Sequence, residues 1–508
     1  MRPIEEVAER AGLARERVEP YGRHKAKIRG AEEMEPRGRL VCVTAINPTP
    51  HGEGKTVTAI GLTDALVRLG TRAMATLRQP SLGPIFGVKG GATGSGGARL
   101  EPASEINLHF TGDFHAIASA QNLLAAMTDN HRFHGNALGI AEVLCKRAID
   151  MNDRTLRGTF DIVAACETMA ALALCRDRAD LEARLARMIA GARADGSLVT
   201  AADLGAHGAM TALLRDAIAP NLVQTLEGNA VLVHTGPFAN VATGNSSVIA
   251  DRVALAHADV VVTESGFGTD CGFEKLVDLK CRGLSWAPEV AVIVVTTRAV
   301  KFHGSGDLRA GFANVEKHVE NVRLFGAEPV VAINVFDDDT EADLAVLEDA
   351  SRACGAPVAR SYVHARGGEG GEALARVVLD ALTRSKRAAP IYALDATLAE
   401  KIETIATRVY GAASVSFSDV ARQRLAAIQK THGALPVCIA KTPSSLSHDA
   451  KLLARPRGFV FPIDDARLYA GAGYVLALAG HILTMPGLPA RPGAEHIGLD
   501  ASGEVFGI

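Results

Sequence analysis

The sequence predicts an α/β fold built on a mostly parallel β-sheet that is flanked by helices. Three observations predict it. Apolar, β-branched segments such as residues 290–295 lack the alternation of a half-exposed strand, as is typical of strands buried on both faces. Such segments alternate along the chain with helical patterns. Residues 40–56 also read as a strand, a glycine loop and the start of a helix, which is a P-loop arrangement.

The length and composition suit a globular enzyme with several domains. With 508 residues, the chain has room for about three domains. We predict a large P-loop-type domain at residues 1–328 and two smaller α/β domains at residues 329–434 and 435–508. A net charge of −3 gives no field that would attract nucleic acid or an anionic membrane. The longest apolar strand-like run is far too short to span a bilayer.

The cysteines and the N-terminus predict a cytoplasmic protein. The eight cysteines form no CxxC pair, and most lie in apolar segments, so we expect them to be reduced. Residues 1–12 carry three glutamates and no apolar core region, so they do not resemble a secretory signal.

The elements of the first two thirds follow from periodicity and from helix stop signals. We predict helices at residues 4–13, 57–69, 207–218 and 311–326, and a helix that runs through Leu123, Leu124 and Met127. The predicted strands are residues 40–46, 72–77, 160–166, 230–234, 260–264, 290–297 and 329–336. The last third continues with helices at residues 340–354, 371–384, 398–410 and 418–431. Its strands are predicted at residues 437–441, 459–463 and 474–478.

The loop between the strand at 40–46 and the following helix is the strongest local signal. It reads Thr49-Pro50-His51-Gly52-Glu53-Gly54-Lys55-Thr56. In such loops backbone N–H groups and the helix N-terminus face a phosphate, the lysine adds a charge, and the hydroxyl reaches Mg²⁺. The full pattern has glycine where this chain has Thr49. A plain βα turn is the alternative to phosphate binding.

Arg78 follows the next predicted strand, at its carboxyl end. Because ligands of open α/β sheets bind beyond the carboxyl ends of the strands, we expect Lys55 and Arg78 to converge on one anion. The alternative is a surface arginine. Residues 83–97 then hold seven glycines among apolar side chains, which favours a loop shaped around a ligand over a flexible linker.

No other motif competes with this site. His131 and His134 have a metal-like spacing, but such pairs on helices are usually structural. From the residues alone, the prediction is an α/β enzyme that uses ATP or GTP, because a lysine, a hydroxyl and an arginine suit phosphoryl transfer.

Longer motifs resemble the formate–tetrahydrofolate ligase family, also called 10-formyltetrahydrofolate synthetases. The resemblance is carried by Arg78-Gln-Pro-Ser-Leu-Gly-Pro-Ile-Phe-Gly-Val-Lys-Gly-Gly-Ala92, by Tyr21-Gly-Arg-His-Lys-Ala-Lys27 and by Glu105-Ile-Asn-Leu-His-Phe-Thr-Gly-Asp-Phe-His-Ala116. Further likeness lies at Thr263-Glu-Ser-Gly-Phe-Gly268, Gly367-Gly-Glu-Gly-Gly371 and Thr484-Met-Pro-Gly-Leu-Pro489. It extends over nearly the whole chain.

The resemblance implies a reaction and a role for several residues. The family makes formyl phosphate from ATP and formate and passes the formyl group to tetrahydrofolate, with release of phosphate. By this likeness Lys55 and Arg78 are catalytic, residues 49–56 bind ATP, and Thr56 reaches its Mg²⁺. Asp113 matches a carboxylate that helps to hold a monovalent cation, K⁺ or NH₄⁺. Phe336 matches one of two aromatic residues that sandwich the pterin ring. A homotetramer is also implied.

The sequence departs from the family pattern at three places. Gln79 replaces a glutamate of the cation site, and His364 aligns with the second pterin-stacking residue, a tryptophan in the family, with Tyr362 as the nearest aromatic alternative. A Gly/Lys-rich stretch expected between Arg157 and Phe160 is almost absent. These departures leave open a paralogue that makes an acyl phosphate for a different acceptor or a modified folate. A nucleotide-dependent binding or regulatory protein is the third alternative.

Overall fold

The computed structural model describes residues 1–50, 52–89, 91–480 and 482–508. Its centre is a twelve-stranded sheet, and smaller sheets lie around it. The strands, in chain order, are β1 (Val18–Pro20), β2 (Ala26–Ile28), β3 (Arg39–Ala45), β4 (Ala73–Leu77), β5 (Gly94–Ser95), β6 (Ala98–Glu101), β7 (Ile140–Val143), β8 (Arg147–Ile149), β9 (Phe160–Ile162), β10 (Ile189–Arg193), β11 (Leu198–Thr200), β12 (Asn221–Thr225), β13 (Ala230–Val233), β14 (Val260–Gly268), β15 (Pro288–Val295), β16 (Glu328–Asn334), β17 (Val358–Ser361), β18 (Ser414–Phe417), β19 (Val437–Ala440), β20 (Val460–Ile463), β21 (Asp465–Tyr469), β22 (Tyr474–Leu478), β23 (Gly498–Leu499) and β24 (Val505–Phe506).

The middle of the large sheet is parallel. Its order is β1-β2-β12-β13-β4-β14-β3-β15-β16-β17, and every pairing from β13 to β17 is parallel. Strands β1, β2 and β12 form an antiparallel edge, and the β5–β6 hairpin joins it through β12. The predicted α/β class with a mostly parallel sheet is therefore confirmed.

The helices cover both faces of the sheet. They are α1 (Ile4–Arg10), α2 (Lys55–Arg68), α3 (Leu82–Pro84), α4 (Ala103–Asn107), α5 (Asp113–Phe133), α6 (Glu167–Leu174), α7 (Arg178–Arg187), α8 (His207–Leu213), α9 (Val248–His257), α10 (Thr297–His303), α11 (Leu308–Leu324), α12 (Glu341–Ala353), α13 (Val363–Arg366), α14 (Glu372–Arg384), α15 (Leu398–Thr404) and α16 (Asp419–His432). Wider π-helical turns follow or precede several of them, at Ile85–Lys89, Thr269–Phe273, Leu276–Lys280 and Ile405–Tyr410.

Strand β3 shows how one short segment separates two cores. Val41, Val43 and Ala45 point into a core shared with α2 and α14, whereas Cys42 points into a core shared with α11. Successive residues of a strand face opposite sides, so a strand covered by helices on both sides has no solvent-exposed face. This accounts for the continuous apolar segments in the sequence.

The smaller sheets lie at two places in the chain. Strands β7, β10 and β11 form one, and β8 pairs with β9. Towards the C-terminus β19, β22 and β21 form a second three-stranded sheet, β18 pairs with β20, and β23 with β24. Strands β16 and β17 belong to the large sheet, so that sheet continues across the boundary predicted at residue 328. The domain limits stay predictions.

Most predicted elements are present, with shifted ends. The strand predicted at residues 160–166 ends at Ile162 and continues as a 3₁₀ turn, and the strand predicted at 260–264 extends to Gly268. The helix predicted at 398–410 changes to π-helical turns after Thr404. All eight cysteines lie in the described residues, and none forms a disulfide. Among those residues no helix is long and apolar enough to cross a membrane.

Candidate active site

A cavity of about 520 Å³ opens at the carboxyl ends of the central parallel strands. The start of α2, the residues after β4, part of the glycine loop and the end of β14 line it. Its lining includes Gly52, Glu53, Gly54, Lys55, Thr56, Arg78, Gln79, Ser81, Ala92, Thr93, Gly236, Phe238, Glu264 and Ile508. The structure therefore brings Lys55, Thr56 and Arg78 together, at the edge of the sheet where the sequence places them.

Lys55 and Thr56 are the first two residues of α2. The preceding Gly54 has a φ of +75°, a left-handed conformation that favours glycine, and this turns the loop into the helix. Burial lowers the pKa of Lys55, Glu264 and Glu53 oppose that shift, and Arg78 adds to it. An ammonium group at a helix N-terminus, among exposed N–H groups, gives the cavity an anion-binding end.

Glu264 lies on β14, between the strands that carry the loop and Arg78. Its carboxylate accepts a short hydrogen bond from the Thr56 hydroxyl, and its Oε1 lies 3.1 Å from Arg78 Nη2. Burial opposes ionisation, but Arg78, the Thr56 hydroxyl and Lys55 together lower the pKa of Glu264. Sequence reasoning missed this residue. The available signal was a glutamate at the end of a predicted strand within the 263–268 motif.

Arg78 follows the last residue of β4. Its Nη1 donates to the carbonyl of Pro237 at 3.3 Å, and its buried Nε has no hydrogen-bond partner in the described part of the chain. Gly266 lies against the guanidinium, since a Cβ there would come within 3.2 Å of Nη1. The guanidinium thus faces the cavity with spare donor capacity.

The loop before α2 is tied to its neighbours by one buried glutamate. Glu53 is 2% exposed, and its Oε1 accepts from the backbone N–H and the hydroxyl of Thr49, both at 3.0 Å. Its other oxygen accepts from Thr296, and its carbonyl accepts from Asn334, so the loop is fastened to β15 and β16. Thr49, where the common pattern has glycine, therefore braces the loop. His51 lies outside the described residues.

The glycine loop forms a wall of the cavity. Asn107, at the end of α4, accepts from the N–H of Ala92 at 2.9 Å and donates to the Thr93 hydroxyl at 3.1 Å. At the other end of the loop, Asp150 accepts from the Ser81 hydroxyl at 2.6 Å and from the N–H of Leu82 at 2.9 Å. A segment with such fixed contacts to other parts of the chain is not a linker.

The two predicted cation ligands do not form an open site. Asp113 is buried, with Lys27 Nζ 2.6 Å from Oδ1 and Asn221 Nδ2 2.7 Å from Oδ2, so an internal ammonium balances its charge. Gln79 lines the cavity, is 3% exposed, and has a buried Oε1 without a partner among the described residues. Asp113 is thus already paired with an ammonium group, whereas the unpartnered amide oxygen of Gln79 is a neutral donor of the kind that K⁺ accepts. The cation site stays a prediction.

No other metal site is evident in the residues that the structure describes. They contain no group of three or more His, Cys, Asp or Glu side chains arranged around a metal ion. His131 instead accepts a hydrogen bond from the N–H of Leu138, which is a structural contact.

The predicted folate residues follow two adjacent parallel strands. Phe336 comes after β16 and is half-buried, and the guanidinium carbon of Arg298 lies 4.7 Å from its ring centroid. His364 is exposed on α13, after β17, and its carbonyl accepts from the N–H of Gly97 at 2.7 Å. The ring of the alternative Tyr362 is covered by Arg366, at 5.3 Å. Their role in folate binding stays a prediction.

The chain matches a known family over its whole length. The family model described as formate–tetrahydrofolate ligase covers residues 1–508. Proteins named formate–tetrahydrofolate ligase from Thermus thermophilus and Acidiphilium cryptum are 50% and 51% identical over 534 and 544 residues, and the alignments cover all of this chain and 98% of each relative. The protein of the same name from Paracoccus denitrificans is 50% identical over 540 residues. The chain therefore belongs to the formate–tetrahydrofolate ligase family.

Proposed function

We propose that the protein ligates formate to tetrahydrofolate at the expense of ATP, through formyl phosphate, to give 10-formyltetrahydrofolate, ADP and phosphate. The observation that carries this proposal is the convergence of Lys55, Thr56, Arg78 and Glu264 on one cavity at the carboxyl end of the sheet. The reaction needs two anions in contact, formate and the γ-phosphate, and two cationic side chains at one place suit that need. The names of the relatives support the choice of substrates.

The loop at residues 49–56 is the proposed site of ATP, bound with Mg²⁺. Backbone N–H groups of the loop and the start of α2 would hold the phosphates, and Lys55 would contact the β- and γ-phosphates. The Thr56 hydroxyl and the Glu264 carboxylate are adjacent hard oxygen donors. Mg²⁺ is commonly held by one or two protein oxygens together with phosphates and water, so this donor set fits the ion.

In the first proposed step, a formate oxygen attacks the γ-phosphorus and the bond to the β-γ bridging oxygen of ATP breaks, releasing ADP. Lys55 and Arg78 neutralise the charge on the transferred group and on the attacking carboxylate. Placing both anions against fixed donors also removes the cost of bringing them together in water.

In the second proposed step, N10 of tetrahydrofolate attacks the carbonyl carbon of formyl phosphate. The bond between that carbon and the bridging oxygen breaks, N10 loses its proton, and phosphate leaves. Arg78 and Lys55 would stabilise the departing dianion. For the acceptor we propose Phe336 and His364 as the pterin-binding side chains, because both follow adjacent strands at the same end of the sheet as the cavity.

A second candidate function is the formation of an acyl phosphate for a different acceptor or a modified folate. The observation that favours it is His364, an exposed imidazole in place of a large indole, together with Arg298 on the ring of Phe336. A binding or regulatory role without turnover is the third candidate.

One assay separates the three candidates. The purified protein is mixed with ATP, Mg²⁺, formate and tetrahydrofolate, and both ADP and 10-formyltetrahydrofolate are measured. We expect the two products in equal amounts. Formate-dependent ADP release without the folate product would favour a different acceptor, and no formate-stimulated turnover would favour a binding protein.

The homotetramer also belongs to this proposal. Exposed apolar side chains lie on and around the three-stranded sheet of β7, β10 and β11, and Phe133 at the end of α5 is 82% exposed. Such surfaces are typical of protein interfaces. Sedimentation velocity at micromolar concentration should give a mass near four chains, and a single monomeric species would contradict it.

A further inference from the structure

Glu264 connects the two halves of the candidate active site. One carboxylate oxygen accepts from Thr56, at the nucleotide end, and the other contacts Arg78, at the anion end. The side chain of Glu264 is 7% exposed and that of Arg78 is 21% exposed, so water screens their attraction only weakly. A single carboxylate therefore acts on both ends.

The contact between Glu264 and Arg78 also compensates the positive charge with which Arg78 would bind formate. Besides Glu264, the described residues offer the guanidinium only the carbonyl of Pro237, at 3.3 Å, and leave its Nε without a partner. Most of the favourable interaction of Arg78 is thus with Glu264. Without a ligand in the cavity, the positive charge of Arg78 is largely compensated, and a monoanion such as formate must compete with a fixed carboxylate.

We propose that Glu264 is a positioning residue that makes formate binding depend on the Mg²⁺-nucleotide. The inference rests on the proposed function. A divalent cation at Thr56 attracts the carboxylate more strongly than a guanidinium does, so binding of the Mg²⁺-nucleotide draws Glu264 towards the nucleotide end. Arg78 is then released from its partner and can bind the carboxylate of formate with a charge-assisted, bidentate geometry.

Coupling of this kind is reciprocal. If the Mg²⁺-nucleotide tightens formate binding by some factor, formate tightens nucleotide binding by the same factor. Couplings between sites commonly amount to about 5- to 150-fold, and for one shared carboxylate we expect about tenfold. Formate would then bind mainly to protein that already holds the Mg²⁺-nucleotide.

The test compares formate affinity with and without a non-hydrolysable ATP analogue and Mg²⁺, by competition or by NMR of labelled formate. In the wild type we expect the analogue to lower the Kd for formate about tenfold. Glu264→Gln should bind formate more tightly than the wild type when no nucleotide is present, because Arg78 is already free. In this variant the ratio of the Kd for formate without the analogue to the Kd with it should fall to about one.

A matched control is Glu289→Gln. Glu289 pairs with Arg39 at the amino ends of neighbouring strands, away from the cavity, so this variant should keep the tenfold coupling. Undiminished coupling in Glu264→Gln, or none in the wild type, would overturn the inference. If Glu264→Gln does not fold, the wild type still decides: coupling must disappear when EDTA removes Mg²⁺, and its persistence would refute the mechanism. Failure of the proposed function has a different signature, which is no formate binding under any condition.

Discussion

Replacing Gln79 by glutamate tests how this chain works without the glutamate that the family pattern has directly after Arg78. Gln79 is 3% exposed, and its Oε1 has no partner among the described residues, so the substitution buries a carboxylate with no preformed partner. Leaving such a group uncompensated costs about 3 kcal/mol. The unfolding entropy of a chain of 508 residues is about 1 kcal/mol/K, so the melting temperature should fall by about 3 °C.

A monovalent cation should reverse that loss. If the Kd of the new carboxylate for K⁺ is about one twentieth of the K⁺ concentration, binding restores about 1.8 kcal/mol of stability, which is about 2 °C in melting temperature. The assay is calorimetric melting in KCl against tetramethylammonium chloride at equal ionic strength, together with turnover in both salts. The wild type should show little difference between the salts. Gln79→Glu should be stabilised and activated by K⁺.

The control for this experiment is Gln121→Glu. Gln121 is also buried, but it hydrogen-bonds the Thr168 hydroxyl and the carbonyl of Lys146, away from the cavity. This variant should lose stability equally in both salts. The reasoning is refuted if the wild type already depends steeply on K⁺ and Gln79→Glu changes nothing.

Three further substitutions test the site, one buried histidine and the packing of α2. Lys55→Met should lower turnover about 10³-fold in a steady-state assay without unfolding the protein. The reason is that a charge about 4 Å from the transferred group contributes about 4 kcal/mol at an effective dielectric constant of about 20. A near-normal kcat would exclude Lys55 from the site. Burial lowers the pKa of His318 to about 3, so below about pH 6.5 the unfolded chain binds a proton that the folded chain does not. The stability of the folded state therefore decreases as the pH is lowered. His318→Gln should therefore lose about 2 kcal/mol less than the wild type between pH 7.5 and 5, as measured by chemical denaturation, and equal losses would contradict this. Gly61→Ala places a Cβ about 2.4 Å from the Val363 side chain and should lower the melting temperature by about 1–3 °C. In Gly208→Ala the added Cβ has no packing neighbour within 4 Å among the described residues, so this variant should raise the melting temperature slightly. The opposite order would show that α2 can move away from its neighbour.

The sequence predicted the parts of the site that depend on local order along the chain. Lys55 and Thr56 are recognisable because a loop and a helix start must follow a strand, and Arg78 because it comes directly after the next one. The sheet class followed for the same reason, since apolar segments without alternation need cover on both faces. These are short-range features, and periodicity and turn residues encode them.

Contacts between distant segments cannot be predicted from periodicity and turn residues. Glu264 reaches Thr56 and Arg78 only because β14 lies between β3 and β4, and a strand order that departs from chain order is not written in any single segment. The pairing of Asp113 with Lys27 joins residues 86 positions apart, and it gives a predicted cation ligand a charged partner from within the chain. Glu53 appeared as part of a nucleotide loop, whereas its carboxylate turns inward to Thr49 and Thr296.

The most direct test of the proposed reaction follows one oxygen atom. Turnover is run with ATP, tetrahydrofolate and formate labelled with ¹⁸O, and the released phosphate is analysed by mass spectrometry or by the isotope shift of its ³¹P resonance. Attack of formate on the γ-phosphorus, followed by transfer of the formyl group, leaves one formate oxygen in the phosphate. We predict one ¹⁸O per phosphate, in step with 10-formyltetrahydrofolate. Unlabelled phosphate formed together with that product would contradict a formyl phosphate intermediate.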